Sequence, residues 1–382
     1  MNSSIHSTQI TVVGNYWFPK NPGGLDRYVY ELVHNLIKLQ TNVELFGIGL
    51  PTSRSKFPLQ LTNLAESEAS LLKRLWSANQ VFNSGFQSQP DAINLHFALY
   101  GLPLLPHLPK DVPVTCTFHG PWAQESDREG SNKLSILFKK LIEQTVYQRC
   151  DRFIVLSKAF GEILHREYHI SWEQIHVIPG GVDIQHFQPN LTRQQAREKL
   201  EWSPDRFILF TPRRLVHRMG LDKLLLAVAQ VKQTYPDIWL AIAGRGPLRD
   251  DLEHQTKELE LQNHVQFLGF LPDEDLPIAY QAADLTIMPS QSLEGFGLVL
   301  VESLACGTPV VCTPVGGMPE VIGDFSPHLI TQTSGANSIA HALTDILSGQ
   351  ITLPTRTACS DYAKQRFDWT AIAQQVRQFL LA

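Results

Sequence analysis

The sequence predicts an α/β protein built from two similar halves, each a parallel sheet flanked by helices. Short apolar runs of strand length alternate with longer segments of helical period. That alternation runs twice, broken once by a polar stretch near the middle of the chain. The 382 residues, 43% apolar and 18% charged, suffice for two ordinary domains with buried cores.

In the first half the strand-like runs are 10–13, 43–48, 92–95, 114–118 and 153–156. After the first of them, Leu25, Tyr28, Val29, Leu32, Val33, Leu36 and Ile37 follow the i, i+3, i+4, i+7 spacing that lays one stripe of a helix on a sheet. The text then turns polar through Gln185, Gln188, Pro189, Asn190, Thr192 and Arg193, which marks a domain boundary. Runs at 208–211, 239–243, 265–267, 285–288 and 310–312 form the second series. The chain closes on an amphipathic segment, 367–381, a helix that must dock somewhere to bury its apolar side. The expected domains are therefore 1–187 and 188–365, with a terminal helix over 366–382.

Charge and composition exclude several classes. The net charge of −5 leaves no global basic field, so nucleic acid is not an expected partner and any anionic ligand must be held locally. Residues 1–185 hold 16 basic and 16 acidic side chains, so the whole acidic excess falls in the second half. The 24 Gly and 24 Pro are spread along the chain, unlike a collagenous or disordered polypeptide. Five cysteines without a CxxC pair or companion histidines read as free thiols, with neither a disulfide framework nor a metal site. Residues 1–8 lack the basic start and apolar core of a secretory signal. No uncharged apolar stretch reaches the roughly 18 residues needed to span a bilayer. A cytoplasmic protein is expected.

Four segments could carry chemistry. The loop 14–24 ends in Gly23 and Gly24 and delivers the chain into the first helix, so backbone could approach a phosphate at a helix N-terminus; a tight strand-to-helix turn is the alternative. In 290–302, Glu294 and Glu302 stand eight positions apart with Gly295 and Gly297 between them at the expected start of a helix. Carboxylates there could accept hydrogen bonds from ligand hydroxyls, or simply cap and solvate the helix. Arg213, Arg214 and Arg218 follow a strand of the second half, where guanidinium forks could clamp a diphosphate at the usual ligand edge of an open sheet. His119, and with it His96, ends a strand of the first half on the same edge; a hydrogen-bonded structural role is the alternative for a lone histidine. Other segments fail as sites. Asp273-Glu274-Asp275 starts a helix more plausibly than it holds Mg²⁺, and Gly244-Arg245-Gly246 has Arg249 where a dinucleotide fingerprint needs its third glycine. No GxSxG elbow is present.

Together, the Gly-Gly loop before the first helix, Phe118-His119-Gly120, Pro179 to Asp183, Arg214-Leu215 with Gly220, Gly244-x-Gly246-Pro247, and Glu294-Gly295-Phe296-Gly297-Leu298 with Glu302, followed by 305–310 and 316–320, resemble the retaining GT-B glycosyltransferases of family 4. The resemblance covers almost the whole chain, in the family's order. It implies two Rossmann-like domains facing across a cleft, with the helix around Trp369 crossing back to the first. It also implies roles: Gly23 and Gly24 near the donor phosphates, His119 beside the transferred sugar, Arg214 on the diphosphate, Glu294 on sugar hydroxyls and Glu302 on the ribose, with backbone N–H groups of Phe296 to Leu298 adding donors. One departure stands out, because the family usually has a lysine before the glycine that follows Arg-Leu and this chain has Met219; Arg218 is the expected replacement.

The expected reaction transfers a hexosyl unit from a UDP- or GDP-linked sugar to a hydroxyl on a saccharide, a lipid-linked molecule or a small molecule. By the resemblance it retains configuration and needs neither metal nor cofactor. A GT-B-like sugar-nucleotide 2-epimerase and a non-catalytic sugar-nucleotide binder are the alternatives. Over 133–149, Lys133, Lys139, Lys140 and Arg149 interleave with Leu134, Ile136, Leu137, Leu141 and Ile142 as a basic amphipathic helix, which either meets anionic lipid at the inner membrane face or is simply solvated.

Overall fold

A computed structural model describes residues 8–51, 58–188 and 191–382. The polar residues 1–7, and Pro189 and Asn190 of the boundary stretch, lie outside the described residues. The chain forms two units, Met1–Gly181 with Trp369–Ala382, and Val182–Asp368.

Unit 1 opens with β1 (Gln9–Tyr16), α1 (Gly24–Lys38), β2 (Asn42–Ile48) and β3 (Leu59–Ala65). It continues through α2 (Leu71–Asn83), β4 (Ala92–Leu95), α3 (Ala98–Gly101), β5 (Val114–Phe118), α4 (Trp122–Arg128) and α5 (Lys133–Tyr147) to β6 (Arg152–Val155), α6 (Lys158–Tyr168) and β7 (Ile175–Val177). The strands form one sheet in the order β3-β2-β1-β4-β5-β6-β7, every pair parallel. Tyr28, Val29, Leu32, Val33 and Leu36 of α1 are buried, so the expected stripe meets the sheet.

β3 and β7 are additions to the expected set, and they are the two edges. Five of the seven β3 residues are half-buried, and β7 is three residues long. A strand covered on fewer sides need not read as an apolar run, which is why the pattern passed over both.

Unit 2 contains α7 (Arg193–Lys199), β8 (Phe207–Pro212), α8 (Leu221–Val231), β9 (Ile238–Ala243), α9 (Arg249–Glu258) and β10 (Val265–Gly269). After α10 (Leu276–Ala282) come β11 (Leu285–Met288), α11 (Leu298–Ala305), β12 (Val310–Cys312), α12 (Met318–Ile322), α13 (Ala336–Leu347) and α14 (Arg356–Phe367). Its parallel sheet has the order β10-β9-β8-β11-β12. All five strands coincide with expected runs. The Asp273–Asp275 triplet leads into α10, with Asp275 at its N-cap.

The last helix, α15 (Trp369–Leu381), belongs to unit 1. Trp369 packs edge-on against Tyr28 of α1 at 5.0 Å between ring centres, and Arg377 Nε donates to Thr41 Oγ1 at 2.8 Å. Gly181 makes room for the indole, since a Cβ there would stand 2.5 Å from Trp369 Cδ2. Arg152 Nη2 donates to the Leu380 carbonyl at 3.2 Å near the helix end. All five cysteines are free and buried. No helix among the described residues is long and apolar enough to cross a membrane.

Candidate functional site

Each sheet has one place where its strand order reverses. In unit 2 the chain leaves β8 toward β9 and β10 on one side, then returns to lay β11 and β12 on the other, so the carboxyl ends of β8 and β11 flank the crevice where open α/β sheets receive ligands. Arg213 and Arg214 leave β8 there, and the segment Pro289 to Gly297 leaves β11.

Arg213, not Arg214, meets Glu294. Its Nη2 is ion-paired with Glu294 Oε2 and donates to Ser290 Oγ at 2.5 Å; Ser290 Oγ in turn donates to the same carboxylate oxygen at 3.1 Å. The two charged side chains are 8% and 13% exposed. Burial works to raise the Glu294 carboxyl, but the charge and hydrogen bond of Arg213, then Arg218 and Ser290, outweigh it and hold the group below the usual carboxylate value. Glu294 is therefore ionised, and because both side-chain contacts fall on Oε2, Oε1 keeps its lone pairs for hydroxyl donors.

Arg218 is buried at 8% exposure and donates from Nη1 to the Leu293 carbonyl at 3.1 Å, while its own carbonyl accepts from Gln291 N at 2.8 Å. It thus braces the loop carrying Glu294. Arg214 is exposed beside it. Two glycines fit this backbone together. A Cβ on Gly316, at φ +57°, would lie 1.8 Å from the Glu294 carbonyl oxygen, which accepts from Gly317 N at 2.9 Å. A Cβ on Gly244, at φ +147°, would lie 1.9 Å from the Arg213 carbonyl oxygen. The Gly244-x-Gly246 pair thus seats the arginine turn instead of forming a dinucleotide loop.

Gly297 caps α11 in the left-handed conformation, φ +84°, and Leu298 begins the helix. Gly295 precedes a buried Phe296, whose ring meets Phe367 edge-on at 5.7 Å. Glu302, one turn into α11 and 6% exposed, accepts from the Tyr280 hydroxyl at 2.8 Å.

In unit 1 the order reverses between β1 and β4. The loop 14–24 leaves β1 at that point, with Gly23 as the N-cap of α1 and Gly24 its exposed first residue. Asp26, in the first turn, accepts from Tyr16 N at 3.0 Å; burial pushes its carboxyl up to about 6 against that bond and one from Asn15. His96 ends β4 and His119 follows neighbouring β5. Their rings stack at 5.2 Å, and His96 Nδ1 lies 2.9 Å from His119 Nε2, so one nitrogen donates and the other accepts. Tyr28 meets the His119 ring edge-on at 4.9 Å. Burial pushes His119 down to about 3, and burial with the neighbouring ring holds His96 well below its ordinary value. Both rings are neutral near pH 7.

The family model described as Glycosyltransferase Family 4 matches residues 22–186, and the one described as Glycosyl transferases group 1 matches residues 192–366. The chain belongs to glycosyltransferase family 4. This glycosyltransferase is 27% identical to a D-inositol 3-phosphate glycosyltransferase of Corynebacterium aurimucosum, in an alignment spanning 98% of this chain and 93% of that protein. Its fold matches the sucrose-phosphate synthase of Thermosynechococcus elongatus with a TM-score of 0.80, at 23% identity over 97% of this chain and 98% of that one. It also matches HepE of Anabaena in complex with UDP-glucose, with a TM-score of 0.76, at 21% identity over 97% and 99% of the two chains. The two parallel-sheet units of the glycosyltransferase are thus the GT-B type of fold.

In the glycosyltransferase, Arg214, Arg218, Glu294 and Gly295 to Leu298 gather at the carboxyl edge of the unit 2 sheet, with Glu302 on the helix that follows. Gly23, Gly24 and His119 gather at the corresponding edge of unit 1. Sequence reasoning gave the carboxylate contact no partner, although Arg213 stood in the same cluster as Arg214. It also missed Ser290 and Gly316 as supports of Glu294. A serine four residues before the glutamate was a signal within reach, whereas the fit of Gly316 depends on a segment more than twenty residues away.

Proposed function

We propose that this glycosyltransferase transfers a hexosyl unit from a UDP- or GDP-linked sugar to a hydroxyl of a saccharide, a lipid-linked molecule or a small molecule, with retention of configuration and without a metal or cofactor. The observation that carries the reading is the ionised Glu294 beside two arginines at the switch point of unit 2. A carboxylate with a vacant oxygen suits sugar hydroxyls, and an exposed guanidinium at the same edge suits a diphosphate. HepE, a structural neighbour, binds UDP-glucose in its complex, which favours a nucleotide-linked donor here.

In this reading the bond from the anomeric carbon to the diphosphate breaks with its electron pair going to the phosphate oxygen. The acceptor oxygen bonds to that carbon from the same face, and its proton passes to a phosphate oxygen. Arg214 and the N–H groups at the start of α11 stabilise the charge growing on the leaving group, Glu294 orients the sugar, and Glu302 holds the ribose. Arg218, which also hydrogen-bonds the Leu293 carbonyl of the loop, adds its charge to the diphosphate in place of the family's lysine. Gly23 and Gly24 let the first helix approach phosphate, and neutral His119 hydrogen-bonds the transferred sugar. The protein works in the cytoplasm and touches the inner membrane face through the exposed side of α5.

The test incubates purified protein with UDP-glucose, UDP-GlcNAc or GDP-mannose, with and without EDTA, following donor hydrolysis and product configuration by NMR. Wild type is expected to release nucleoside diphosphate and form the retained anomer, whereas Glu294→Gln loses at least about a hundredfold in kcat/KM. Conversion of UDP-GlcNAc to its 2-epimer without transfer supports the epimerase instead, and no turnover of any donor overturns the reading.

A further inference from the structure

Unit 1 holds a second arginine-centred cluster that the reading above leaves unused. β1 ends at Tyr16, and α2 and α3 bring Arg74 and Tyr100 to it. Arg74 Nη1 donates to the Tyr16 hydroxyl and, at 3.1 Å, to the Tyr100 hydroxyl. Tyr100 is 1% exposed, so it supports the guanidinium from beneath, and burial pushes its phenol up to about 12, which keeps it a hydroxyl. Tyr16 and Arg74 are half-buried and reach solvent. Among the described residues no carboxylate pairs with Arg74, and its buried Nε–H has no hydrogen-bond partner.

This arrangement is rich in donors and carries a fixed positive charge. The Tyr16 hydroxyl, within hydrogen-bond reach of Tyr100 as well as of Arg74, keeps one proton that it can turn either to Tyr100 or to a further oxygen at the surface. A guanidinium held in one geometry, half out of water and without a counter-charge, suits an anion that supplies both charge and acceptor oxygens. The cluster also sits at the β1/β4 switch point, the ligand edge of this sheet, where His96 ends β4.

We propose that Arg74 and Tyr16, supported by Tyr100, bind an oxyanion carried by the hydroxyl acceptor. The inference rests on the transferase reading, because it assigns this edge of unit 1 to the acceptor. The acceptor class is a polyol or sugar bearing phosphate or carboxylate, and a neutral acceptor would leave the guanidinium uncompensated.

The experiment uses the full chain saturated with UDP and measures binding of inorganic phosphate, glucose 6-phosphate, glucuronate and glucose by calorimetry. Wild type is expected to bind an anionic probe at least about tenfold more tightly than glucose, with the advantage shrinking as salt rises. The phosphate and carboxylate arms identify which oxyanion is preferred. Arg74→Gln is expected to erase the advantage, Arg74→Lys to keep part of it, and Tyr16→Phe to reduce it severalfold while leaving the guanidinium in place. Arg128→Gln, on the exposed end of α4, is the control expected to bind as wild type does. The inference is overturned if wild type does not discriminate anionic from neutral probes, or if Arg74→Gln and Tyr16→Phe both discriminate as wild type does. A variant that merely lowers the melting temperature while keeping the discrimination also counts against it. Donor hydrolysis by the wild-type protein is run alongside: its absence defeats the transferase reading, whereas the binding arms report on Arg74 either way.

Discussion

At the scale of single residues, the Arg213 to Glu294 pair is the point at which stability and chemistry meet. Removing one member of a buried ion pair strands the other, at a cost of about 3 kcal/mol. Arg213→Met is therefore expected to lower the unfolding free energy measured by urea denaturation by that amount, with a lower midpoint, and adding Glu294→Gln should restore at least about 1 kcal/mol of it, since the stranded charge disappears. An unchanged midpoint in Arg213→Met would sink this account. The histidine pair gives a pH prediction. His119 sits at about 3, below the ordinary histidine value, so it stays the neutral imidazole with a single N–H at any pH above about 5 and kcat should show no limb from it between about pH 5 and pH 8. A limb near pH 6.5 that vanishes in His119→Gln contradicts a neutral ring. Residue types and their places at strand ends were legible in the sequence here, down to both histidines and the arginine cluster. Which of two adjacent arginines turns toward the carboxylate was not, because that depends on the backbone turn after β8 and on the fit of Gly244 against the Arg213 carbonyl.

At the scale of elements, α5 differs from a plain solvated helix. Leu134, Leu137, Phe138 and Leu141 are 50–81% exposed and follow i, i+3, i+4, i+7 spacing. The helix's only acidic residue, Glu143, is buried and accepts from Trp122 N at 2.7 Å and the Tyr168 hydroxyl at 2.8 Å, so its surface charges are all lysines. Lys140 lies 3.7 Å from Glu167, and Lys133 is exposed at the start of the helix. Vesicles containing phosphatidylglycerol are expected to sediment more of the protein than phosphatidylcholine vesicles do, and Leu137→Ser with Phe138→Ser should weaken that binding at least about tenfold. Equal sedimentation with both lipids would leave the stripe without this role. The helix was legible from its period, but the depth at which each side chain sits was not, since Ile136 and Ile142 turn inward while the leucines beside them do not. The same limit applied to the sheet. Central strands announced themselves as apolar runs, and the edges β3 and β7 did not because half of their surroundings are not core.

At the scale of the whole molecule, unit 2 is a continuous stretch of chain set into unit 1, which is completed by α15. Trp369 is 3% exposed and anchors that helix on α1, so losing it removes a burial worth about 3–5 kcal/mol. A fragment of residues 182–368 is therefore expected to fold and melt cooperatively by itself, while residues 1–181 should melt cooperatively only when a peptide of residues 369–382 is supplied. A fragment 1–181 as stable alone as with the peptide would refute the dependence. That the chain holds two α/β halves with a docking terminal helix could be read from periodicity. Which half receives the helix was implied by the family resemblance, which has it crossing back to the first domain, as it does; periodicity alone could not tell, because an amphipathic stripe identifies no partner until the Gly181 notch and the Tyr28 ring are brought together in space.

This threading has a consequence for a chain emerging from the ribosome. The half translated first has all its strands early but has to wait with α1 uncovered until α15 appears, while the half translated second lacks no element once α14 is made. Maturation thus runs against the direction of synthesis, and a stall shortly before Trp369 would strand a finished second half beside an open first one.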